Sequence, residues 1–218
     1  MARRLRGAVG MVKVGSQLFA AEGPSVVKQL SSLGFGIFLD LKFHDIPNTV
    51  AGAIDSAKAL PGIRLINVHT LGGLEMMQAA RKAVGKGPQA VKLLGVTILT
   101  SHDAQSLRRV GLSGTPANAA VRLAKLARRA GLDGVVASAH EIHAIRRACG
   151  PDFLIVVPGI RSQSDAPNDQ SRIATPAKAI AAGANYLVIG RPITRAADPQ
   201  KAANEISREI NSVVPARG

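Results

Sequence analysis

Short aliphatic runs alternate with alanine-rich amphipathic stretches along the whole chain, and few folds accommodate that pattern. The runs lie at Val9–Val14, Phe35–Leu41, Arg64–Val68, Val91–Leu99, Gly134–Ala137, Leu154–Val157 and Tyr186–Ile189. Most are continuous rather than alternating in polarity, which is how parallel strands covered on both faces read. Between them, stretches such as Pro116–Ala130 and Thr175–Ala182 carry helical spacing. Thr175-Pro176 offers an N-cap followed by proline at the first helical position. Gly131 and Gly183 fall where helices should stop. No linker, solenoid repeat or low-complexity tract interrupts the series, so residues 1–218 are read as one domain.

Repeated β-α units build either an open doubly wound sheet or a closed barrel. Polar residues stand at the C-terminal ends of many runs: Lys13, Asp40, Lys42, His69, Thr100, Ser138, Arg161 and Arg191. A barrel gathers those ends around one mouth, whereas an open sheet spreads them along a crevice. No GxGxxG follows the first run, which removes the usual dinucleotide signal. The expected class is therefore α/β, a (β/α)8 barrel of the TIM type, with only seven strands evident. The 218 residues also fall short of the roughly 250 typical of eight units.

Composition narrows the function. Aromatics are 3% of the chain and tryptophan is absent, so the core must be Val, Ile, Leu and Ala. The single cysteine, Cys149, excludes an internal disulfide and a multi-thiolate metal site, and a reducing cytoplasmic setting is expected. No apolar run reaches the length of a membrane span. The basic N-terminus is broken by Gly7, Gly10 and Lys13, which argues against export. The net charge of +14 admits a nucleic-acid or anionic partner. Its basic residues, such as Arg122, Lys125, Arg128 and Arg129, are scattered over helical segments without interleaved aromatics, however. Single-strand binding needs such aromatics, so the charge is read as a surface rich in arginine and nucleic acid is not expected as a partner.

The densest polar cluster is Asp40-Leu41-Lys42-Phe43-His44-Asp45, directly after the run FGIFL. Strand side chains alternate faces, so Asp40 and Lys42 are expected to point together into the barrel. Buried charges are costly unless paired, and each would partly neutralise the other. Lys13, at the end of the preceding strand, would extend the pair into an array. His140-Glu141-Ile142-His143 lacks the HExxH spacing and is expected on an exposed helix face, not at a metal. His44 is expected to pack near the cluster, and Met76 and Met77 to serve as core and boundary residues. Gly72-Gly73 resembles a phosphate-cradling turn that a simple helix start also explains.

Residues Asp40–Thr49, DLKFHDIPNT, resemble the signature segment of the orotidine 5'-phosphate decarboxylase family. Further matches follow in the family's order: KVG at Lys13–Gly15, NVH at Asn67–His69, VTILTS at Val96–Ser101, PGIR at Pro158–Arg161, DQ at Asp169–Gln170 and GRPIT at Gly190–Thr194. The resemblance implies decarboxylation of orotidine 5'-phosphate to UMP without cofactor or metal. It implies Lys42 as the acid that protonates pyrimidine C6, Asp40 as the carboxylate beside the substrate carboxylate, and Lys13 as the outer lysine. Asp45 and Thr49 match residues that reach the neighbouring site of a homodimer. Thr100 resembles a contact to the base. Arg161, Gln170, Gly190 and Arg191 match positions lining the site, the last three nearest the phosphate.

One departure stands out. Family members begin with a further strand ending in LD, and nothing in MARRLRGAV supplies it. The expectation is a misplaced start codon, with the chain as written poorly active and an upstream-extended form competent; a true truncation would instead leave the strands at Val9–Val14 and Tyr186–Ile189 with unpaired edges. Three rivals follow. Magnesium-dependent sugar-phosphate enzymes share the DxKxxD frame but carry an acid where Lys13 stands. A noncatalytic nucleic-acid-binding protein would bind tightly and salt-dependently. A catalytically dead remnant would fold without turnover.

Overall fold

The computed structural model describes residues 1–85, 87, 90–160 and 174–213. All seven aliphatic runs are strands: β1 (Met11–Gly15), β2 (Gly36–Phe43), β3 (Ile63–His69), β4 (Lys92–Val96), β5 (Gly134–Val136), β6 (Leu154–Pro158) and β7 (Tyr186–Val188). The helices are α1 (Ser16–Glu22), α2 (Pro24–Ser32), α3 (Pro47–Lys58), α4 (Gly73–Val84), α5 (Ala104–Arg109), α6 (Pro116–Arg129), α7 (Ile142–Cys149), α8 (Pro176–Ala181), α9 (Arg191–Thr194) and α10 (Pro199–Asn211). Short 3-10 turns at Ala2–Leu5, Thr70–Gly72 and Ala139–Glu141 complete the series. Thr175 caps α8 as expected, and Thr115 caps α6 in the same way, each followed by proline. Gly131 and Gly183 lie beyond their ends at φ +82° and +107°, which a side chain would resist.

Every strand pair is parallel, and spatial order equals sequence order from β1 to β7. This is a nearly closed TIM-type barrel of seven strands. Two hydrophobic layers follow from the pleat. The outward residues Val14, Ile37, Leu39, Ile66, Leu93, Val135, Ile155 and Val157 join helix residues such as Ile54, Met77, Ala124 and Ile145 in the main core. A second cluster is drawn from strands alone: Phe38, Leu65, Leu94 and Val156, with Met11, Val136, Leu154 and Val188 against them. It fills the barrel interior. Two residues further along β1, β2 and β3, the same face carries Lys13, Asp40 and Asn67. A polar layer therefore caps an aliphatic one.

The lower rim is tied by the same device twice. Asp133, just before β5, accepts the Leu93 N–H through Oδ2 at 2.8 Å and an Arg81 guanidinium N–H at 2.7 Å. Asn185, just before β7, accepts the Ile155 N–H at 2.8 Å and an Arg146 N–H at 2.9 Å. Each arginine also donates to a carbonyl four residues on, at Gly85 and Gly150. Arg81 and Arg146 thus anchor a helix end to two neighbouring strands.

The ring does not close. β1 pairs only with β2, and β7 only with β6, among the described residues. Between their outer edges lies a cavity of about 540 Å³. Its walls are interior residues Phe38, Leu65 and Val156 on one side and Ile193, Ala203 and Ile206 from the helices on the other.

Candidate active site

At the C-terminal end of the barrel, next to the seam between β1 and β7, a cavity of about 290 Å³ opens among the strand ends. Lys13, Asp40, Lys42, Thr100 and Ser101 line it over an apolar floor that includes Phe38, Val136 and Val188. The Asp40 carboxylate sits between two ammonium groups. Lys42 Nζ donates to Oδ1 at 2.7 Å, and Lys13 Nζ is 3.0 Å from Oδ2. Asp40 is largely buried, whereas both lysine side chains keep about a third of their surface exposed toward the mouth.

The expected meeting of Asp40 and Lys42 occurs, but not by simple strand alternation. Leu39 pairs with Ile66 and Phe43 with Val68, so three residues of β2 face only Asn67 on β3. At this bulge Lys42 adopts φ +52°. Bulges re-aim side chains and recur beside functional sites. Asn67, fully buried, fills the gap: its Nδ2 donates to Asp40 Oδ1 at 2.6 Å and its Oδ1 accepts the Lys42 N–H at 2.8 Å.

Burial works to raise the Asp40 carboxyl. Hydrogen bonds from Lys42 and Asn67, and the charges of Lys13 and Lys42, outweigh it and hold the group below its ordinary value. Asp40 is thus an anion at neutral pH that fixes two cations at the mouth. Beside them His69 stacks on His44, with ring centroids 5.6 Å apart. Burial, followed by the charges of His44, Lys42 and His102, depresses His69 and favours its neutral form. Its Nδ1 accepts the Leu71 N–H at 3.3 Å.

Other expected residues are placed as follows. Asp45, in the exposed turn before α3, and Thr49, in its exposed first turn, lie outside the cavity, and Asp45 accepts the following N–H, that of Ile46. Next to them Ile46 exposes two thirds of its surface. Gly190 and Arg191 follow β7 at the start of α9, exposed, and neither lines the cavity. Arg161, Asp169 and Gln170 lie outside the described residues. Met76 and Met77 are both core residues, and Gly73 takes φ +86° at the start of α4.

His140 and His143 are exposed as expected, but the residues between them are not. Glu141 is buried, not on an exposed face, and closes a capping box by accepting the Ser138 N–H at 2.9 Å. Burial, against that hydrogen bond, raises it to about 7. The apolar Ala139 and Ile142 beside it pull this turn onto the core. No group of three His, Cys, Asp or Glu side chains capable of holding a metal occurs among the described residues. Neither is any described helix long and apolar enough to cross a membrane.

Comparison with known proteins decides the family. Residues 1–206 match the model of the orotidine 5'-phosphate decarboxylase / HUMPS family. The chain belongs to that family. Orotidine 5'-phosphate decarboxylase of Nitrosococcus oceani is 51% identical over 98% of this chain and 91% of its own length. The Geobacter sulfurreducens enzyme of the same name is 55% identical over 96% and 88%. The crystal structure of orotidine 5'-phosphate decarboxylase from Lactobacillus acidophilus superposes with a TM-score of 0.81 at 40% identity, covering 92% of this chain and 86% of that one. For a chain in this family, the Lys13–Asp40–Lys42 array stands at the C-terminal mouth where such barrels carry their chemistry.

Sequence reasoning missed one participant, Asn67. A signal was present: a lone amide inside Leu65-Ile66-Asn67-Val68, in a strand buried on both faces, must find partners.

Proposed function

We propose that this chain converts orotidine 5'-phosphate to UMP and carbon dioxide, with Lys42 as the proton donor. The observation that carries the reading is the ammonium–carboxylate–ammonium array at the cavity mouth, in a chain at least half identical to enzymes of that name. When the bond between pyrimidine C6 and its carboxylate breaks, the electron pair stays on C6. Lys42 Nζ stabilises that charge and then transfers its proton there. Asp40 holds the ammonium in place from one side, and Lys13 restrains Asp40 from the other. Asp40 would also face the substrate carboxylate. Two such anions about 4 Å apart repel by roughly 4 kcal/mol at an effective dielectric near 20.

Thr100 at the rim suits a contact to the base. Gly190 and Arg191, after the last strand, suit the phosphate: glycine admits backbone N–H groups and arginine offers a two-pronged fork. On sequence resemblance alone, Gln170 is assigned to the phosphate with them and Arg161 to the lining of the site. Asp45 and Thr49 stand away from their own cavity, beside the exposed Ile46, which favours a homodimer in which they complete the partner's site. The setting is cytoplasmic, with one buried cysteine and no disulfide pairing open to it.

Decarboxylation followed by ultraviolet absorbance, in the presence of chelator, tests this. The parent should turn over substrate, and Lys42→Ala should lose on the order of 10²–10⁴-fold or more in kcat. Undiminished turnover by a folded Lys42→Ala protein would overturn the assignment. Abolition of the parent's activity by chelator would point instead to a magnesium-dependent relative.

A further inference from the structure

We propose that Asn67 is a positioning residue for the decarboxylation, a clamp that holds Asp40 and the Lys42 backbone in the one arrangement that aims the lysine amine into the cavity. The inference deepens the assignment of Lys42 above and rests on it. Three observations converge. Three β2 residues oppose Asn67 alone, so the strand ladder leaves backbone groups there that only a side chain can reach. The Asn67 amide meets both needs at once, donating to Asp40 Oδ1 at 2.6 Å and accepting from Lys42 N at 2.8 Å. Finally, Lys42 is the only non-glycine residue with positive φ among the described residues. Such a conformation costs of order 1–3 kcal/mol and persists where its surroundings enforce it.

The chemistry of an amide suits this place. A carboxylate at position 67 could accept from Lys42 N but would repel Asp40. A hydroxyl donates and accepts at a single oxygen, whereas Asn67 meets its two partners through two separate atoms, Nδ2 and Oδ1. The amide carries donor and acceptor on one rigid plane, fully buried, in a geometry that water could not keep. Asn67 therefore also sets which Asp40 oxygen is shared: Oδ1 receives both the Asn67 N–H and the Lys42 ammonium, leaving Oδ2 to Lys13.

The test uses Asn67→Asp, which keeps the volume and the acceptor, with Asn67→Ala alongside it. The full chain is assayed for kcat, KM and the pH dependence of kcat/KM. Thr70→Val is the control. Thr70 is equally buried just after β3, and its hydroxyl donates to Val96 O at 2.7 Å and not to Asp40 or to the Lys42 backbone. The charged groups facing Asp40 are Lys13 on β1 and Lys42 on β2, with His69 on β3 facing Lys42. All remain in every Asn67 variant. The expected result is a fall of about 10²-fold in kcat with little change in KM, the cost of misplacing a reacting group by about 1 Å. The acid limb of kcat/KM should move to higher pH as Asp40 loses its amide donor, and furthest in Asn67→Asp, where two carboxylates compete for one proton. If Asn67→Ala does not fold, the isosteric Asn67→Asp decides. Parental kcat and acid limb in folded Asn67→Asp would overturn the clamp, as would equal losses in Thr70→Val with no shift of the limb. Lys42→Ala separates the two levels: inactive Lys42→Ala beside a parental Asn67→Asp sinks only the clamp, whereas active Lys42→Ala sinks the site assignment beneath it.

Discussion

Lys42 is asked to do two things that can be pulled apart: adopt a left-handed backbone and present an amine. The backbone disfavours any residue with a Cβ, whereas glycine takes φ near +52° freely. Lys42→Ala and Lys42→Gly both remove the amine, but only alanine keeps the steric penalty. The Gly variant should therefore be the more stable of the two by on the order of 1 kcal/mol, read as a higher Tm, while both are equally inactive. An Ala variant as stable as the Gly variant would mean that the bulge relaxes once the ammonium is gone. In that case Asp40, not Asn67, would hold the backbone. The pairing at this site was legible in the sequence because an acid and a lysine stand two apart at the end of an apolar run. The bulge was not, because register depends on the neighbouring strand, and no local pattern in Asp40–Asp45 encodes which β3 residue it will meet.

Among the elements, the strands were the most readable. Buried parallel strands need apolar residues on both faces, so most of the seven left a continuous aliphatic run. The turn after β5 misled for a related reason. Flanked by two histidines, Glu141 looked solvated, yet Ala139 and Ile142 beside it belong to the core and draw the carboxylate inward. Its raised value, about 7 against 4.5, has a defined consequence for stability. Below about 4.5 the group is protonated folded and unfolded, and no penalty arises. Between 4.5 and 7 the folded chain binds the extra proton, so stability falls as pH rises; above 7 the full penalty applies. Glu141→Gln keeps an acceptor for the Ser138 N–H and abolishes the titration. Relative to the parent it should gain on the order of 3 kcal/mol between pH 4.5 and pH 8, measured as the difference in denaturation free energy at the two pH values. A parent–variant difference independent of pH would show that the carboxylate is solvated in the native protein.

At the scale of the molecule, the seam between β1 and β7 adjoins both the hydrophobic core and the lysine array. Among the described residues two strand edges without a strand partner flank one cavity, whose walls are mostly apolar. A segment seated there would be buried on both faces, would run parallel to its neighbours, and would need a continuous aliphatic sequence like the other seven strands. Lys13, Phe38 and Val188 line both this cavity and the candidate active site, so slack in the seam is transmitted directly to the lysine array. A form of the chain extended at its N-terminus by such a strand should therefore gain in two measurable ways. Its Tm should rise and its aggregation on concentration should fall, because the edges are paired. Its kcat/KM should rise as well, because Lys13 then stands on an interior strand and not on a free edge. The two effects need not be equal. A higher Tm with unchanged kcat/KM would show that β2 and β3 alone, through the bulge and Asn67, keep Asp40 and Lys42 in place. Unchanged Tm and unchanged kcat/KM together would show that the helices around the seam already hold the ring as firmly as an eighth strand would.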